Sequence, residues 1–484
     1  MLFNSYVFVL FFLPVCLTGY FGLNHFRKYR LAELFLLGMS LWFYAYFNLK
    51  YLFIILSSVC VNYGVYRLFQ RLSSSAARKA VLLTGLALNL GVLFYYKYTD
   101  FFLLNINRVF HTQLPLLGIL LPLGISFFTF QQLSFLVDAY RGEVGACDFL
   151  SYACFVTYFP QLIAGPIVTH DELIPQLRDE SKKHLNWDNL APGIYLFALG
   201  MAKKVLLADT FGNAVNWGYA NVDSLDATNA ILTMLGYTLQ IYFDFSGYCD
   251  MAIGIGRMMN IDLPVNFNSP YKALTITEFW DRWHMTLTRF FTRYVYIPLG
   301  GSRRGEARTY RNILIVFLLS GFWHGAGWTF VFWGLCHGLF SVVTRRFRDF
   351  FDRLHPALNW ILTFSFVNVM WVFFRADSFA AALRLLNRIA RMNFGPIQSE
   401  ILNCFKLVEI NYFIAKTPIE SIYPYFQLAA FFAIAFFMIL GARNAYEKAE
   451  TFRPSFGKAL AAAVLLVWCV FSFSGISTFL YFNF

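Results

Sequence analysis

The chain has 484 residues, of which 58% are hydrophobic and only 14% charged, so it is more apolar and less charged than a soluble domain. Its 39 lysines and arginines outnumber its 27 acidic residues, and in so apolar a chain this excess is typical of cytoplasmic loops between membrane spans. Composition therefore indicates an integral membrane protein, and with neither a basic tail nor an RNA-binding module we expect no nucleic-acid partner.

Runs that are free or nearly free of charge predict roughly a dozen membrane crossings. The N-terminal run lacks the basic region of a signal peptide, and its apolar part is too long for one, so it predicts a first spanning helix. The predicted spans are Tyr6–Leu23, Leu34–Leu49, Tyr51–Tyr66, Ala80–Tyr96, Leu114–Val137, Phe149–Val168, Asn189–Ala202, Ala227–Phe243, a hairpin over Ile313–Thr344, Leu354–Phe374, Ser421–Ala442 and Ala459–Phe484.

The first loops carry a readable charge bias. Basic residues follow the first and third spans, whereas Lys50 alone follows the second. Because basic loops stay in the cytoplasm, the first and third loops are predicted there and the N-terminus outside. No repeat relates the two halves, and the more polar segments Asp171–Asp188 and Arg375–Glu420 are too short for separate domains. We therefore expect one all-α transmembrane domain over residues 1–484.

The uncharged stretch Ile313–Thr344 is the first candidate for a functional centre. Its 32 residues contain two histidines, His324 and His337, and arginines flank both ends. This length is too great for one span of a hydrocarbon core about 30 Å thick and too small for two full ones. The pattern predicts a hairpin of two short helices, broken by Gly321, Gly325 and Gly327. Because irregular backbone at membrane depth is tolerated beside a cavity or inside protein, His324 is expected to line a cavity, and His337 to pack or to reach toward the arginine flank.

A second histidine lies just upstream, in Thr277–Tyr294. If this segment is one helix, Trp280, His284, Leu287 and Phe291 share one apolar stripe. The segment is too charged to span and too amphipathic for a plain loop, which predicts an interfacial or half-buried helix. Asp281, one turn before His284, is positioned either to fix its tautomer or to form a surface ion pair. The eight cysteines form no C-x-x-C pair, so no metal site or disulfide framework is expected.

Several long motifs share an order that is informative as a set. They are LGISFFTFQQLSFLVDAYRG, FPQLIAGPI, YTLQIYFDFSGYCDMAIG, FWDRWHMTLTRF, YVYIPLGGSRRG and GFWHGAGWTFVFWGLCHG. In this order they resemble the membrane-bound O-acyltransferase family, most closely its bacterial branch typified by the membrane subunit of alginate O-acetylation. The resemblance spans nearly the whole chain and is densest over residues 237–338, and it implies a helical bundle with re-entrant or short helices around a central cavity.

The resemblance also implies the two catalytic residues. The family's membrane histidine matches His324 in FWHG, and its second site residue matches His284, 40 residues earlier. Acyl transfer from a thioester to a hydroxyl needs a base, and a buried neutral imidazole suits that task. His324 is the candidate general base, whereas His284 is expected to orient the acceptor or to hydrogen-bond the thioester carbonyl.

The remaining expectations concern substrates, partners and location. The resemblance implies an acetyl-CoA or carrier-protein thioester on the cytoplasmic side, with no bound cofactor or metal. Four arginines are candidates to attract the phosphates of the donor: Arg303, Arg304, Arg308 and Arg311. Alternatively, they only determine the orientation of the chain in the membrane. Asp244 is expected to line the cavity and is a candidate substrate-binding residue. The protein would lie in the bacterial inner membrane, in contact with membrane lipid. The acyl group would cross that membrane toward a cell-surface or exported polysaccharide such as alginate, cellulose or peptidoglycan. A periplasmic or extracellular SGNH-hydrolase-like partner would complete the transfer.

Two other functions stay open at this point. One is D-alanyl transfer from a carrier protein to teichoic acid, within the same family. The other is a transporter or proton relay in which the histidines carry protons. The chain has neither a G-x-S-x-G elbow nor a G-x-x-x-x-G-K-[ST] loop, which argues against a serine acyl-enzyme and against ATP coupling.

Overall fold

A computed structural model describes residues 1–407, 417, 419–473 and 479–480. Within these residues the protein is helical throughout, and β pairing is limited to one antiparallel bridge between Phe267 and Trp283. The last predicted span, Ala459–Phe484, lies partly outside the described residues. Its residues 459–471 are helical.

The first half of the chain forms nine helices in the described structure. They are α1 (Phe8–His25), α2 (Tyr29–Ala45), α3 (Leu49–Arg71), α4 (Ser75–Phe110), α5 (Ile125–Arg141), α6 (Phe149–Thr157), α7 (Phe159–Leu162), α8 (His170–Arg178) and α9 (Trp187–Ala220). Helix α9 contains one π-helical stretch, Lys203–Ala208.

The second half adds α10 to α21 among the residues described. They are α10 (Ala227–Met258), α11 (Ile276–Arg282), α12 (Met285–Phe291), α13 (Glu306–His324), α14 (Trp328–Arg346), α15 (Arg348–Arg353), α16 (Pro356–Arg375), α17 (Phe379–Ala390), α18 (Ser399–Cys404), α19 (Tyr423–Gly441), α20 (Ala445–Glu450) and α21 (Phe456–Phe471). Short helical turns lie at Glu180–Lys183, Val222–Ser224, Pro270–Lys272 and Thr292–Tyr296.

The number of full-length spans is smaller than the dozen predicted. Of the described helices, six are long and apolar enough to cross a membrane, namely α1, α3, α4, α9, α16 and α19. The predicted spans Leu114–Val137 and Phe149–Val168 are both interrupted, because α5 begins only at Ile125 and α6 ends at Thr157. Irregular backbone buried within protein can be as apolar as a spanning helix, so composition does not distinguish the two.

Glycines allow α9 and α10 to pack with their backbones in contact. A Cβ atom at Gly200 would lie 2.7 Å from the Gly247 carbonyl oxygen, and one at Gly193 would lie 2.8 Å from that of Gly254. The two contacts are seven residues apart along each helix. Close approach at small residues is a common way to pack helices where lipid supplies no hydrophobic driving force. This contact forms the centre of the bundle.

The predicted hairpin is present as α13 and α14, but its details differ from the prediction. The arms are longer than expected, because each helix extends into an arginine flank. Gly325 and Gly327 lie at the break between the arms, whereas Gly321 is inside α13. A Cβ at Gly321 would lie 3.1 Å from the Gly334 Cα atom, so Gly321 brings the two arms together and does not interrupt the helix.

Basic residues after the first and third spans lie on one side of the molecule, which we call the basic face. Arg30 pairs with Asp148 at 3.1 Å. Arg78 donates to the Tyr140 carbonyl oxygen at the end of α5, and residues 142–148 connect that end to Asp148. From Ser75 on this face, α4 rises about 54 Å at 1.5 Å per residue. The segment 111–124 that follows α4, here called the distal loop, therefore lies on the opposite side.

Candidate active site

His324 is the last residue of α13 and lies at the tip of the hairpin. Its side chain is buried, with only 2% of the residue exposed. Aromatic rings surround the imidazole, with ring centroids at 4.9 Å for Trp323, 5.2 Å for Trp333 and 5.3 Å for Phe374. The hairpin therefore carries this histidine from the charged basic face into an aromatic interior.

His284 lies at a break between two short helices, so the prediction of one helix over Thr277–Tyr294 is wrong. Helix α11 ends at Arg282, α12 begins at Met285, and His284 adopts a left-handed conformation with φ 48° and ψ 49°. The break arises because this backbone pairs with a distant segment. Asn268 N–H donates to the Arg282 carbonyl, and Met285 N–H donates to the Asn266 carbonyl. Such pairing leaves no trace in local helical periodicity.

The structure brings the two predicted catalytic histidines together. The ring centroids of His284 and His324 are 6.3 Å apart, with the rings inclined by 60°. His284 is fully buried, and its ring contacts Phe245 at 4.8 Å and Trp323 at 6.0 Å between centroids. Two imidazoles at this separation can act on one substrate group placed between or beside them.

Asn266 is a site residue that the sequence analysis missed. It is fully buried, and its side-chain oxygen lies 3.1 Å from His284 Nδ1. The same oxygen accepts hydrogen bonds from the backbone N–H of Thr286 at 3.2 Å and from its hydroxyl at 2.9 Å. Asp281, which was a candidate to fix the tautomer of His284, is exposed. The contact with His284 Nδ1 is made by Asn266 instead. Nothing local in the sequence distinguishes Asn266, because its contacts depend on the tertiary break at His284.

Lys97 is the second missed residue. Its ammonium group donates to the carbonyl oxygens of Trp323 at 2.6 Å and of His324 at 3.2 Å, and lies 3.4 Å from the Ser126 hydroxyl. The last carbonyl oxygens of a helix have no hydrogen-bond donor within the helix. For α13, Lys97 is that donor. The signal in the sequence was a lone lysine directly after the run Ala80–Tyr96, which the analysis took for the end of a span although α4 continues to Phe110.

A small cavity adjoins His324. Its volume is about 20 Å³, roughly the space of one water molecule. Lys97, Ser126, Trp323 and the end of the distal loop line it together with His324. The cavity therefore lies toward the distal side. His324 therefore lines a cavity, as the sequence predicts, and the residue itself is only 2% exposed.

A much larger cavity lies elsewhere, between α9, α19 and α21. It has a volume of about 1550 Å³, and its lining includes Lys203 and Asp209. Neither His284 nor His324 is among the lining residues. This cavity is therefore separate from the histidine pair.

Asp244 is engaged in a buried ion pair with α9. Its carboxylate lies 2.6 Å from the ammonium group of Lys204 and accepts a hydrogen bond from the Leu480 backbone N–H at 2.9 Å. Six residues further along α10, Asp250 pairs with Lys203 at 2.6 Å. Asp244 does not line the cavity at His324, so the structure does not bring this predicted substrate ligand to the histidines.

The four predicted phosphate-binding arginines lie at the start of the hairpin. All are exposed, and Arg311 donates to the neighbouring Asn312 side chain. Arg311 precedes His324 by 13 residues on α13, which corresponds to about 20 Å of helix. Arg293, shortly before them in sequence, pairs with Glu143 on the basic face. The arginines Arg303, Arg304, Arg308 and Arg311 are therefore separated from the histidine pair and lie on the basic face.

His337 contributes to packing and not to the cavity. It is fully buried in α14, and Trp280 Nε1 donates to its Nδ1 at 3.2 Å. The alternative in which its side chain reaches toward Arg345 is wrong, since Trp280 holds the ring on the α11 side. This contact also links α11, which leads into His284, to the hairpin that carries His324.

Comparison with known proteins places the chain in a family. A model described as MBOAT, membrane-bound O-acyltransferase family, matches residues 120–382, a range that contains both histidines. The chain is 41% identical to a peptidoglycan O-acetyltransferase of Helicobacter pylori over 522 aligned positions, which cover 100% of this chain and 98% of the relative. It is 38% identical to a probable alginate O-acetylase of Pseudomonas aeruginosa, covering 83% of this chain and 77% of the relative.

A more distant likeness covers about half of the chain. A teichoic acid D-alanyltransferase of Bacillus subtilis is 26% identical over 249 positions, which are 49% of this chain and 62% of that protein. The near full-length match and the family model agree with each other. This multi-pass helical protein belongs to the membrane-bound O-acyltransferase family.

Proposed function

We propose that this protein moves an acetyl group from acetyl-CoA, on the basic face, across the bacterial inner membrane for O-acetylation of peptidoglycan. The observation that carries the proposal is the buried pair of His284 and His324, 6.3 Å apart between ring centroids. Peptidoglycan is favoured over alginate because the Helicobacter pylori relative, named for peptidoglycan, matches over 98% of its length, compared with 77% for the Pseudomonas aeruginosa protein.

The residue types fit acyl transfer to a hydroxyl. One imidazole takes the hydroxyl proton while the hydroxyl oxygen attacks the thioester carbonyl carbon, and the other hydrogen-bonds a reacting group. The surrounding aromatic rings keep bulk water away, which limits hydrolysis of the thioester. His324 and His284 are both proposed as catalytic residues on this basis.

The two sides of the membrane are assigned different roles. The exposed arginines of the basic face supply positive charge for the phosphates of CoA. The cavity beside His324 lies toward the distal loop, and this supports delivery of the acetyl group to an acceptor on the distal side. A periplasmic SGNH-hydrolase-like partner would then complete the transfer to the polysaccharide. Because His324 is only 2% exposed, we expect the donor to reach it when the surrounding rings move.

The donor and the reaction can be tested on the purified full-length protein in lipid vesicles. Labelled acetyl-CoA and an acetylated carrier protein are supplied side by side, each with peptidoglycan fragments as the hydroxyl acceptor, and release of free thiol is measured. We expect release from acetyl-CoA, lost in His324→Ala and retained in His184→Ala, which changes an exposed histidine. If only the acetylated carrier protein is consumed, the donor is a carrier-protein thioester and not acetyl-CoA. Equal activity in His324→Ala and the unaltered protein would remove the catalytic assignment.

The polysaccharide is tested in cells. Muropeptides from a strain that depends on this protein are analysed for O-acetyl groups, with protein levels checked in the membrane fraction. We expect the O-acetyl groups to disappear in His324→Ala and in His284→Gln. Unchanged peptidoglycan, with O-acetyl groups lost from another exported polysaccharide, would show that the acceptor is misassigned.

A further inference from the structure

The side chain of Asn266 is connected to His284 through a network in which each donor can be identified. Its oxygen accepts from the Thr286 backbone N–H and hydroxyl, and lies 3.1 Å from His284 Nδ1. The Thr286 hydroxyl in turn accepts from the Ile167 backbone N–H at 3.0 Å, so its own proton is directed to Asn266. The Asn266 amide nitrogen faces the Cys249 sulfur at 3.3 Å.

These contacts determine where the proton of His284 lies. A backbone N–H can only donate, so the Asn266 atom that faces Thr286 N–H is the oxygen and not the nitrogen. An amide oxygen carries no proton, so the proton in its contact with His284 belongs to Nδ1. In the neutral imidazole the other nitrogen, Nε2, then has the lone pair and accepts a hydrogen bond or a proton.

The backbone at His284 is constrained as well. Its φ of 48° lies in the left-handed region, which is unfavourable for a residue with a side chain of this kind. The Met285 N–H bond to the Asn266 carbonyl oxygen, at 3.0 Å, holds the chain in this form. Unfavourable backbone conformations that neighbouring structure maintains are concentrated at functional sites. Asn266 therefore holds His284 through both its main chain and its side chain.

We infer that Asn266 is a positioning residue and that His284, through Nε2, takes the proton from the acceptor hydroxyl. The inference rests on the acyl transfer proposed above. As the hydroxyl O–H bond breaks, its proton passes to Nε2 and its oxygen bonds to the thioester carbonyl carbon. The C–S bond then breaks, and the proton passes from Nε2 to the departing thiolate. The Asn266 oxygen accepts from Nδ1–H throughout.

This inference exchanges the roles that the sequence suggested for the two histidines. A neutral His284 in this tautomer cannot donate a hydrogen bond to the thioester carbonyl, because its only N–H is directed to Asn266. That donation is assigned to His324, across the pair. The exchange has a direct test, since it makes activity depend on the acceptor at position 266.

The experiment uses full-length protein in lipid vesicles, with acetyl-CoA as the donor probe and peptidoglycan fragments as the hydroxyl acceptor, and compares Asn266→Leu and Asn266→Asp. Asn62→Leu is the matched control, because Asn62 is a buried asparagine whose amide pairs with Asn89 on another helix. For Asn266→Leu we expect kcat to fall by about 100-fold or more, the range of general base catalysis, with KM for acetyl-CoA within about two-fold. Asn62→Leu should lower stability and leave kcat nearly unchanged.

Asn266→Asp retains an acceptor for Nδ1–H and adds negative charge, which favours the imidazolium form. The base is active only when unprotonated, so the acid side of the pH–rate profile should move to higher pH. A merely structural role would not move it. Nitrogen-15 NMR of labelled histidine identifies the His284 signal, because that signal is absent in His284→Gln. It should show a protonated Nδ1 in the unaltered protein and a mixture of the two tautomers in Asn266→Leu.

The outcomes separate the two proposals. Activity that survives both His284→Gln and His324→Ala overturns the proposed function. Activity lost in His284→Gln, with Asn266→Leu behaving like Asn62→Leu, overturns the role of Asn266 alone. A proton on Nε2 of His284 in the unaltered protein also overturns it. If Asn266→Leu does not fold, an unshifted pH profile in Asn266→Asp overturns the inference.

Discussion

The ammonium group of Lys97 donates a 2.6 Å hydrogen bond to the carbonyl oxygen of Trp323. This bond connects the middle of α4 to the last turn of the hairpin helix that carries His324. The second bond of Lys97, to the His324 carbonyl itself, holds the residue that the proposed chemistry needs. The position of His324 therefore depends on a residue 227 positions earlier in the chain.

Lys97→Met is predicted to reduce both stability and activity. The methionine fills similar space, but the two carbonyls lose their donor, and a buried polar group without a partner costs about 1–3 kcal/mol. Thermal unfolding in detergent and thiol release from acetyl-CoA would measure the two effects. Lys97→Arg should recover part of both, and Lys50→Met, at an exposed lysine, should change neither. Full activity in Lys97→Met would show that the α13 terminus does not need this support.

The sequence contained the information for the two histidines but not for the groups that hold them. The motifs FWDRWH and GFWHG identify His284 and His324, and the arginine flanks predict a hairpin. The supports, Asn266 and Lys97, act through contacts between distant segments, and local patterns do not encode these. For the same reason, the amphipathic pattern of Thr277–Tyr294 predicted a continuous helix where pairing with residues 266–268 breaks it.

Apolar runs also predicted more spans than the described helices provide. The run Leu114–Val137 contains Gly124, which adopts φ +70° and packs so closely on the Leu162 carbonyl oxygen that a Cβ would lie 2.6 Å from it. In the run Phe149–Val168, helix α6 ends at Thr157, and residues 158–168 are buried throughout. A buried irregular segment can be as apolar as a spanning helix, so apolar runs alone do not distinguish the two.

Gly200→Ala is predicted to destabilise the central helix pair. The added methyl group would meet the Gly247 carbonyl oxygen at 2.7 Å, so α9 and α10 must separate, at a cost of about 1–3 kcal/mol. Gly91→Ala is the matched control, because a Cβ there meets nothing within 4 Å. That variant should stabilise α4 slightly, since alanine favours helix over glycine by about 1 kcal/mol. Thermal unfolding of both variants distinguishes packing from propensity, and an equal response would contradict the close contact.

The Lys203–Asp250 pair gives a test by double substitution. Removing one partner leaves a buried charge, so Lys203→Met and Asp250→Leu should each lower the free energy of unfolding by about 3–5 kcal/mol. The double variant should recover most of that loss, because no charge is then left unpaired. Additive losses in the double variant would mean that the two groups do not interact. Folded yield and unfolding in detergent provide the measurement.

Asp244→Asn tests whether this carboxylate binds substrate or only supports the fold. Because the carboxylate pairs with the Lys204 ammonium at 2.6 Å, we expect lower stability with KM for acetyl-CoA unchanged within about two-fold. The unfolding and thiol-release assays apply to the same preparation. A large rise in KM at normal stability would instead support the substrate-binding role.

A pH test addresses the basic face. Burial raises the pKa of Asp148, but hydrogen bonds from Ser151 and the charge and hydrogen bond of Arg30 outweigh this and lower it to about 2. The pKa of an unfolded aspartate is about 3.9, so the stabilisation is complete above that pH and is lost as pH falls toward about 2. The melting temperature of Asp148→Asn should therefore lie below that of the unaltered protein near pH 6, and the two should converge on acidification. A difference in melting temperature that persists at low pH would contradict a contribution from the Asp148 charge. As a control, Asp349→Asn changes an exposed aspartate and should leave the melting temperature unchanged.

The arginines at the start of the hairpin are predicted to affect donor capture and not the chemical step. They are exposed on the basic face, and the nearest of them in sequence, Arg311, lies about 20 Å along α13 from His324, so their charge attracts CoA phosphates without touching the reacting atoms. A variant with glutamine at all four positions should raise KM for acetyl-CoA by about ten-fold at low salt, with kcat unchanged, and the effect should shrink as salt screens the charges. The control removes the same number of charges from the same face, at Arg27, Lys28, Arg67 and Arg71. Equal effects from both variants would mean that the face acts through its total charge, whereas no effect from either would leave these arginines with topology alone as their role.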